Sequence, residues 1–407
     1  MRVKFLFIVY IISILFINSV KAADPSLIFH NEESQITMNP GAQVRIGDNE
    51  LVQGWRDLSI VQQTGGTGSS FGYPSGVTDF NSVYIPKIEQ MNIRYDQEYY
   101  SGDESESHMT WLKDGFKLAP DAHLYIQIPF PLACPFDLSG GLLELGIDWH
   151  LSTSTTICPQ GGGGRIQGNG YALILDGNLV IPPGEYLEFT NNTIIDGLGH
   201  ELILSGSGQL IVDMNTTLSF RNVVIKSLRN IPMQPSLVMN DTSSAVSFQN
   251  TKILLGSDYT FTQGYFYIHD DVILSGTSQF IFESNQNLWI NDHSTLILDL
   301  GCTFSYAPQN GSRNLISMKD QTSFLYLNGA TFTAPGNGVN NGIELTKGSL
   351  ILDNKINLQN MNGTIPNTVQ SKAISFGNGT ASDDLSINLL ASAQVNINGY
   401  VDYQNVN

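Results

Sequence analysis

Charged residues, and basic residues above all, are scarce in this chain. Only 14% of its 407 residues are charged, and 19 Lys and Arg stand against 37 Asp and Glu, which gives a formal net charge of -18. A nucleic-acid-binding protein needs clustered cations that displace counterions from phosphates, and the cations here are scattered. The composition therefore argues against a nucleic-acid partner. Uncharged Asn, Ser, Thr, Gln and Gly fill the polar positions, which suits an extended sheet with an outer side that faces water.

Long apolar runs are almost absent. The one clear run, residues 5–17, follows Arg2 and Lys4 and precedes Val20-Lys21-Ala22, which has small or apolar residues where a signal peptidase reads. This pattern is typical of a secretory signal peptide, and we expect cleavage after Ala22. The run is shorter than the roughly 20 residues that a membrane-spanning helix needs, and no second run follows. The mature protein is therefore expected to be secreted or to lie at the cell surface, with no transmembrane segment.

Cysteine is scarce too, with three residues and no C-x-x-C or Cys/His spacing of the zinc type. Disulfides persist in exported proteins, so we expect Cys134 and Cys158 to pair and to close one loop. Cys302 is expected to point inward as a small buried side chain rather than to act as a nucleophile.

The most informative pattern that is present is an internal repeat. Two apolar residues, four and two positions before a corner residue, recur six times at steps of 28 and then 26 residues. Alternation at period two indicates a β-strand, and its return at a fixed interval of about 20 to 50 residues indicates stacked units with the apolar pairs in the core. The corners are Asn222, Asn250, Gly276, Cys302, Asn328 and Asn354. The apolar pairs are Leu218 and Phe220, Val246 and Phe248, Val272 and Leu274, Leu298 and Leu300, Phe324 and Tyr326, Leu350 and Leu352.

This repeat predicts an all-β fold, a single-stranded parallel β-helix solenoid with coils of about 26 residues. Asn side chains at the same corner of successive coils are expected to hydrogen-bond to one another as a ladder. Three segments follow: a signal peptide over 1–22, a β-rich region with a solenoid cap over 23–165, and the β-helix over 166–407. An acidic loop at 95–114 lies in the second segment, and Gly161-Gly162-Gly163-Gly164 is the candidate boundary or wide turn.

Two phrases carry a resemblance to a known family. The chain resembles right-handed parallel β-helix proteins of the pectin-lyase-like group in two segments. These are Thr193-Ile194-Ile195-Asp196-Gly197-Leu198-Gly199-His200 and Leu218-Ser219-Phe220-Arg221-Asn222-Val223-Val224-Ile225. Within that group they are most similar to bacterial surface and autotransporter-type passengers. The resemblance covers about residues 166–407. It implies a right-handed solenoid, and a function either as an adhesin-like scaffold or as a polysaccharide lyase or hydrolase.

The lyase motifs of that group are not reproduced. Pectate lyases carry Trp-Ile-Asp-His, whereas this chain has Trp289-Ile290-Asn291-Asp292-His293, in which Asn291 shifts the acid and the imidazole out of phase. The Arg-x-Pro-x-x-Arg motif has its nearest match at Arg229-Asn230-Ile231-Pro232, which comes too early and lacks the second Arg. Asp241, Asp292 and Asp320 each lie about eight to ten residues before a corner, so we interpret all three as caps of turns.

Polygalacturonase-like hydrolases need convergent carboxylates. His269-Asp270-Asp271 and Asp383-Asp384 supply adjacent acids, but neighbouring residues on a strand are expected to face opposite sides. Gly199-His200 lacks the final Gly of the Gly-His-Gly motif, and the segment 221–226 is too long for Arg-x-Lys. We therefore interpret these acids as solvated turn residues.

No catalytic, cofactor-binding or metal-binding residues emerge from the remaining motifs. The glycines at 161–164 and 168–170 precede neither a Lys-Ser nor a helix, so they are interpreted as turns rather than as a phosphate loop. The Gly-Gly-x-Gly-x-Asp repeat and the EF-hand loop of Ca²⁺ sites are absent. Sequons for N-glycosylation begin at Asn191, Asn215, Asn240, Asn310, Asn362 and Asn378.

The sequence thus favours an exported, non-enzymatic β-helix scaffold, an adhesin that binds extracellular glycans or host surface proteins. A polysaccharide lyase or glycoside hydrolase on the same fold is the alternative, because the fold hosts both. The chain is also compatible with a passenger segment of a longer protein. An open last coil would expose a sheet edge, so end-to-end or edge association is expected unless a segment covers it.

Overall fold

The structure, a computed structural model, describes residues 138, 141–151, 163–231, 234–334, 342–360, 374–377, 379–380, 385–399 and 401–403, together with the backbone of ten strands between residues 35 and 137. All regular structure in these residues is β. Parallel strands stack about 25 residues apart and form a β-solenoid of about 9 turns. The predicted fold class is therefore confirmed. The predicted signal peptide, Cys134, Cys158 and most of the acidic loop lie outside the described residues. Within that loop, Met109–Leu112 form a strand, so the prediction of an irregular loop is wrong there.

Each coil contributes strands to three faces, which we number in chain order. The first and second faces form one 15-stranded sheet, because two long strands bend through the corner between them. These two strands are β25 (Ala245–Leu255) and β27 (Tyr265–Ser275). The other first-face strands of this sheet are β12 (Trp149–Leu151), β14 (Ala172–Leu175), β17 (Thr193–Asp196), β20 (Thr217–Arg221), β29 (Leu288–Ile290) and β32 (Ile316–Met318). The second-face strands are β15 (Leu179–Ile181), β18 (Glu201–Leu204), β21 (Val224–Leu228), β30 (Thr295–Leu298), β33 (Phe324–Asn328), β36 (Ser349–Asp353) and β39 (Ser386–Leu389).

The third face consists of two parallel sheets. The earlier sheet contains β6 (Gln90–Ile93), β9 (His123–Ile126), β11 (Leu142–Leu145), β13 (Gly164–Gln167), β16 (Tyr186–Thr190), β19 (Gln209–Val212) and β24 (Leu237–Met239). The later sheet contains β26 (Tyr259–Phe261), β28 (Gln279–Phe282), β31 (Thr303–Tyr306), β34 (Thr331–Thr333), β37 (Lys355–Gln359) and β40 (Gln394–Asn398). Because β11 pairs in parallel with β13, the strand pairing continues across the predicted boundary at 161–164.

The remaining strands form smaller sheets. A three-stranded parallel sheet takes the place of the first face in the last coils, with β35 (Ile343–Leu345), β38 (Ile374–Phe376) and β41 (Val401–Tyr403). A short hairpin pairs β22 (Asn230–Ile231) with β23 (Gln234–Pro235). The N-terminal strands outside the solenoid sheets are β1 (Gln35–Met38), β2 (Gln43–Val44), β3 (Ser59–Gln62), β4 (Ser70–Phe71), β5 (Ser82–Ile85), β7 (Met109–Leu112), β8 (Gly115–Leu118) and β10 (Phe136–Asp137).

Aromatic rings stack in columns inside the solenoid. On the inner side of the third face, Phe280, Phe304 and Phe332 follow one another in successive coils with ring centroids 5.6 Å apart at both steps. Phe282 and Tyr306 form a parallel column, with centroids 6.2 Å apart. All five rings are buried, so each coil closes the apolar surface of the coil before it. No single coil could bury these rings alone.

Buried serines join the coils at the corner between the first and second faces. Ser323 donates from Oγ to the carbonyl of Asn291 across 2.8 Å, and Ser349 donates to the carbonyl of Gln321 across 3.0 Å. Both partners lie in the corner of the preceding coil. Each of these buried hydroxyls therefore has an acceptor in the preceding coil.

The predicted Asn ladders exist, but they are short and occupy several corners. The longest at a predicted corner links Asn354 Nδ2 to Asn328 Oδ1 at 2.7 Å, and Asn328 Nδ2 to Asp299 Oδ1 at 2.9 Å. A second ladder lies on the third face, where Asn396 donates to Asn357 and Asn357 donates to Thr331. The amide suits such a ladder because it both donates and accepts.

The predicted phase of the corners is wrong for part of the repeat. Asn222 and Asn250 lie between the first and second faces, whereas Gly276 and the three later corners lie at or beyond the ends of second-face strands. The phase slips because Phe248 pairs with Ile268, a step of only 20 residues. A corner that is predicted with a constant step of 26 residues therefore falls after the second face instead of after the first.

The slip also changes which side chains fill the core. Leu300, a predicted core residue, is 69% exposed. In β33 the buried residues are Leu325 and Leu327, and the predicted Phe324 and Tyr326 lie on the outer side of the strand. The other predicted apolar pairs are buried. Loops of unequal length between strands account for the difference, because they shift the phase of the strands and leave their alternation intact.

Candidate functional site on the first face

Outward side chains on the first face form columns along the solenoid axis. Parallel pairing aligns Ser219, Ser247, Tyr267, Trp289 and Ser317, one from each successive coil. Neighbouring strands lie about 4.8 Å apart, so each column presents one side chain at every such step. We call this the middle column.

Three aromatic residues lie close together among the outward side chains of this face. Tyr267 and Trp289 are neighbours in the middle column, and Tyr265 lies two residues before Tyr267 on the same strand. The Tyr265 and Tyr267 rings are nearly parallel, with centroids 6.0 Å apart and an interplanar angle of 16°. Trp289 is 37% exposed, and both tyrosines are half-buried. We call these three residues the aromatic platform.

Burial raises the pKa of the Tyr267 phenol, and the neighbouring Tyr265 adds to the rise. Both effects keep the phenol protonated at neutral pH, so it can donate as well as accept a hydrogen bond. Serines precede and follow the two aromatic residues of the middle column. Because serine side chains are small, the rings of Tyr267 and Trp289 have shorter neighbours on both sides.

A second column of polar side chains runs beside the platform. Register aligns Arg221, Gln249 and His269, and Asn291 and Lys319 continue the column directly after the paired residues Ile290 and Met318. We call these five side chains the polar column: Arg221, Gln249, His269, Asn291 and Lys319. With a step of about 4.8 Å per coil, its four steps span about 19 Å.

Hydrogen bonds orient the central members of the polar column. Asn291 Nδ2 lies 3.1 Å from the carbonyl of Ile268 and 3.3 Å from each ring nitrogen of His269. Gln249 donates from Nε2 to Asp270 Oδ2 across 2.8 Å. The amides are therefore held in place before any ligand arrives, which reduces the entropy lost on binding.

Burial lowers the pKa of the His269 imidazole, and Arg221 acts in the same direction. The carboxylates of Asp270 and Asp292 oppose this shift, but burial is the larger effect. The ring is therefore neutral at neutral pH, with one nitrogen as a donor and the other as an acceptor.

The acids next to His269 do not behave as the strand pattern predicts. Asp270 and Asp271 are both exposed, although they are neighbours in β27. Asp270 has a positive φ of 53°, which bends the strand and breaks its alternation between faces. The expectation that the two acids face opposite sides of the sheet is therefore wrong, because it applies only to unbent strands.

The Asp-His pair predicted as a turn lies in the turn between β29 and β30. His293 has a positive φ of 54° and donates from its backbone nitrogen to Thr322 Oγ1. Asp292 accepts from Lys319 Nζ at 2.7 Å, and this contact is the main reason that its pKa is lowered. Asp292 thus lies in the predicted turn, and its carboxylate joins two coils as well as accepting from its own backbone nitrogen.

The other two acids of that set do cap turns. Asp241 accepts from the backbone nitrogen of Ser243, and Asp320 accepts from that of Thr322, both at 2.8 Å. The backbone bond is the main reason that the pKa of Asp241 is lowered, whereas the pKa of Asp320 is lowered first by a hydrogen bond from the Thr322 hydroxyl and then by the backbone bond. The turn interpretation is confirmed for them.

The remaining candidates from the sequence are scattered. His200 lies in a turn between β17 and β18, where its backbone nitrogen donates to Gly197. Lys226 lies on the second face and pairs with Glu201, away from Arg221 on the first face. Asp383, Asp384, Gly161 and Gly162 lie outside the described residues, as do two of the sequon residues, Asn362 and Asn378.

Cys302 is fully buried, as predicted. Burial raises the pKa of its thiol to about 12, and the Asp299 carboxylate adds to the rise. The thiolate is the nucleophilic form of cysteine, so this side chain is unreactive in the folded protein.

Within the described residues, no group of three or more His, Cys, Asp or Glu side chains could hold a metal ion. No helix in the same part of the chain is long and apolar enough to cross a membrane.

The aromatic platform was missed from the sequence, although a signal for it existed. The segment Tyr265-Phe266-Tyr267 alternates between half-buried and buried residues, so two aromatics had to face outward. Trp289 belongs to the near-match to the lyase motif, a pattern that points to Asp292 and His293 rather than to the indole ring. Its alignment with Tyr267 depends on the 22-residue coil between them, which the constant step of 26 concealed.

No protein-family model, curated protein or solved structure matches this chain. The parallel β-solenoid therefore rests on the strand pairing itself, and the relation to pectin-lyase-like proteins stays a prediction.

Proposed function

We propose that this protein is an exported, non-enzymatic scaffold of the adhesin type that binds glycans along the first face of its solenoid. The observation that carries the proposal is the aromatic platform of Tyr265, Tyr267 and Trp289, which lies between Ser247 and Ser317 of the middle column and beside the polar column. The predicted signal peptide is compatible with an extracellular location.

Partly exposed aromatic rings beside hydrogen-bonding side chains suit the two kinds of surface that a sugar presents. One face of a pyranose ring carries C–H groups, which pack on an aromatic face, and the hydroxyls at its edge need donors and acceptors. Here the platform supplies the aromatic faces, and Gln249, His269 and Asn291 lie in the next column.

Repetition along the axis also supports a binding function. Successive coils present contacts at about 4.8 Å steps, so a polymer can bind at several points at once. Many weak contacts of this kind add up to strong attachment.

A glycan array probed with the full mature chain tests the proposal. We expect binding to at least one class of extracellular glycan, and loss of that binding in Trp289→Ala. Tyr171→Ala is the matched control, because Tyr171 is an exposed aromatic residue in a turn outside the platform. Equal binding by both variants would contradict the proposal, as would an array without any bound glycan.

One observation favours the alternative, a polysaccharide lyase or hydrolase. His269 is neutral at neutral pH and close enough to Asp270, Asp292 and Arg221 for their charges to affect its pKa, so it could act as a general base. Cleavage of polysaccharides by the wild type that disappears in His269→Ala would support the enzyme and contradict the non-enzymatic scaffold.

Edge association is a further part of the proposal. Large apolar side chains are exposed in the last coil, at Leu389, Leu390, Ile397 and Tyr403. Such a surface beside strand edges favours contact with another chain. Analytical ultracentrifugation is expected to detect association that Ile397→Lys reduces, and a monomer at all concentrations would contradict it.

A further inference from the structure

The proposed function leaves open which glycans bind, and the charges around the platform narrow the choice. Three carboxylates, those of Asp270, Asp271 and Asp292, lie at the end of the first face beside the polar column. The cations of that column are Arg221 and Lys319, and Lys319 is already paired with Asp292. The surface therefore carries an excess of acid, in a protein of net charge -18.

An acidic polysaccharide would meet repulsion at this surface, both locally and from the whole chain. A cationic polysaccharide would be attracted only weakly, because the two cations of the column offset two of the three carboxylates, one of them through the Lys319–Asp292 pair. Asp270 accepts from Gln249, and Asp292 accepts from Lys319.

Asp271 lies at the start of the second face, where it pairs with Thr295, and Arg221 lies two coils before His269. The contacts nearest to the platform are therefore aromatic faces, amides, hydroxyls and a neutral imidazole.

The direction of the columns gives the direction of the ligand. Tyr267 and Trp289 follow each other along the solenoid axis, and so do Gln249, His269 and Asn291. The aromatic and polar columns are therefore parallel, and they are separated by two residues along each strand. An extended chain parallel to the axis would keep its sugar faces over the rings and its hydroxyls toward the polar column.

On this basis we infer that the first face binds an extended, uncharged glycan parallel to the solenoid axis, with sugar rings stacked on Tyr267 and Trp289 and hydroxyls bonded to Gln249, His269 and Asn291. This inference rests on the proposed function and specifies its ligand class. Stacking on a ring is tolerant of sugar type, whereas amide side chains held by Asp270 and Ile268 select the positions of hydroxyls.

Isothermal titration calorimetry on the full mature chain tests the inference with defined hexasaccharides. The probes are neutral hexamers of glucose, mannose, galactose and N-acetylglucosamine, an anionic galacturonate hexamer and a cationic glucosamine hexamer. We expect at least one neutral hexamer to bind about tenfold more tightly than its disaccharide, because the chain extends over several coils. Neither charged hexamer is expected to bind as tightly.

Variants connect this binding to named side chains. Trp289→Ala and Tyr267→Ala are each expected to weaken binding by about tenfold or more, and Trp289→Phe, which keeps a ring, by less. Tyr171→Ala is expected to bind like the wild type. If the alanine variants fail to fold, as judged by circular dichroism, the affinities of Trp289→Phe and Gln249→Ala are measured instead. Neither substitution removes the platform, and both are expected to weaken binding.

The outcomes separate this inference from the proposed function. Tighter binding of the galacturonate or glucosamine hexamer, lost in Trp289→Ala, would overturn the uncharged ligand and leave the glycan-binding face intact. Equal affinity for a disaccharide and a hexasaccharide would overturn the extended, axis-parallel arrangement. Absence of binding to all six hexamers would overturn the inference, and an empty glycan array as well would overturn the proposed function.

Discussion

Asn354 donates a hydrogen bond from Nδ2 to Oδ1 of Asn328, 2.7 Å away in the preceding coil. The ladder continues to the coil before, because the side-chain amide of Asn328 donates to Asp299. The two residues differ in backbone conformation, since Asn354 has a positive φ of 56° and Asn328 is the last residue of a regular strand. The ladder therefore depends on side-chain chemistry at one residue and on both chemistry and conformation at the other.

Substitutions at Asn354 separate these two contributions. Asn354→Gly loses one hydrogen bond but keeps the left-handed conformation, so it should cost about 1 kcal/mol of unfolding free energy. Asn354→Ala loses the same bond and adds about 1–2 kcal/mol of backbone strain. Urea unfolding followed by circular dichroism measures both. Equal destabilisation by the two variants would contradict a role for backbone conformation at this corner.

The stacked column of Phe280, Phe304 and Phe332 gives a second prediction. Phe304→Ala removes the middle ring, which is buried between two coils, and should cost about 3–5 kcal/mol. Leu300→Ala is the control. Leu300 is 69% exposed, so its truncation should change the unfolding free energy by less than about 0.5 kcal/mol. A large loss of stability in Leu300→Ala would indicate that Leu300 is buried, as the constant 26-residue step predicts, and would contradict the register of the structure.

The Leu300 control also marks how far the fold could be predicted from sequence. Alternation of apolar residues depends on local strand geometry, so the all-β solenoid and the burial of pairs such as Val246 and Phe248 were predictable. The position of each corner along the repeat, its phase, was not predictable. It depends on the length of each turn, and nothing in the sequence distinguishes a corner after the first face from one after the second. Asn250 and Asn354 look alike, yet they occupy different corners.

The candidate site was hidden by the same limitation. Tyr267, Trp289 and their polar neighbours come from different coils, and only the correct register aligns them. Asp270 shows a second limit, because a single residue with positive φ breaks the alternation on which its orientation was predicted. The predicted turn caps at Asp241 and Asp320 are confirmed, because each depends only on a contact two residues away in the sequence.

Cys302 gives a prediction about reactivity. Its thiol is fully buried with a pKa raised to about 12, so Ellman's reagent should not modify it in the folded protein at pH 8. After unfolding in urea it should react at once. Cys302→Ser should lower the number of thiols that react in the unfolded chain by one, and fast modification of Cys302 in the native state would contradict its burial.

The same titration, done without reductant, tests the predicted disulfide between Cys134 and Cys158. If these two residues pair, the unfolded chain has one free thiol, and otherwise it has three. Peptide mapping under non-reducing conditions then identifies the bond directly. Three free thiols in protein secreted into an oxidising compartment would contradict the pairing.

The imidazole of His269 gives a prediction about pH. Burial lowers its pKa below the ordinary value of about 6.5, so the unfolded chain binds its proton more readily than the folded chain does. The stability that depends on the neutral ring is therefore fully present above about pH 6.5 and is lost as the pH falls through the folded-state pKa.

Histidine ring signals followed by NMR, with the His269 signal assigned from its loss in His269→Gln, should give a midpoint below 6.5. His269→Gln should also lose less stability than the wild type between pH 7.5 and pH 5, because its side chain does not titrate. A midpoint at or above 6.5 would mean that Asp270 and Asp292 outweigh burial, and that the ring beside the aromatic platform is charged near neutral pH.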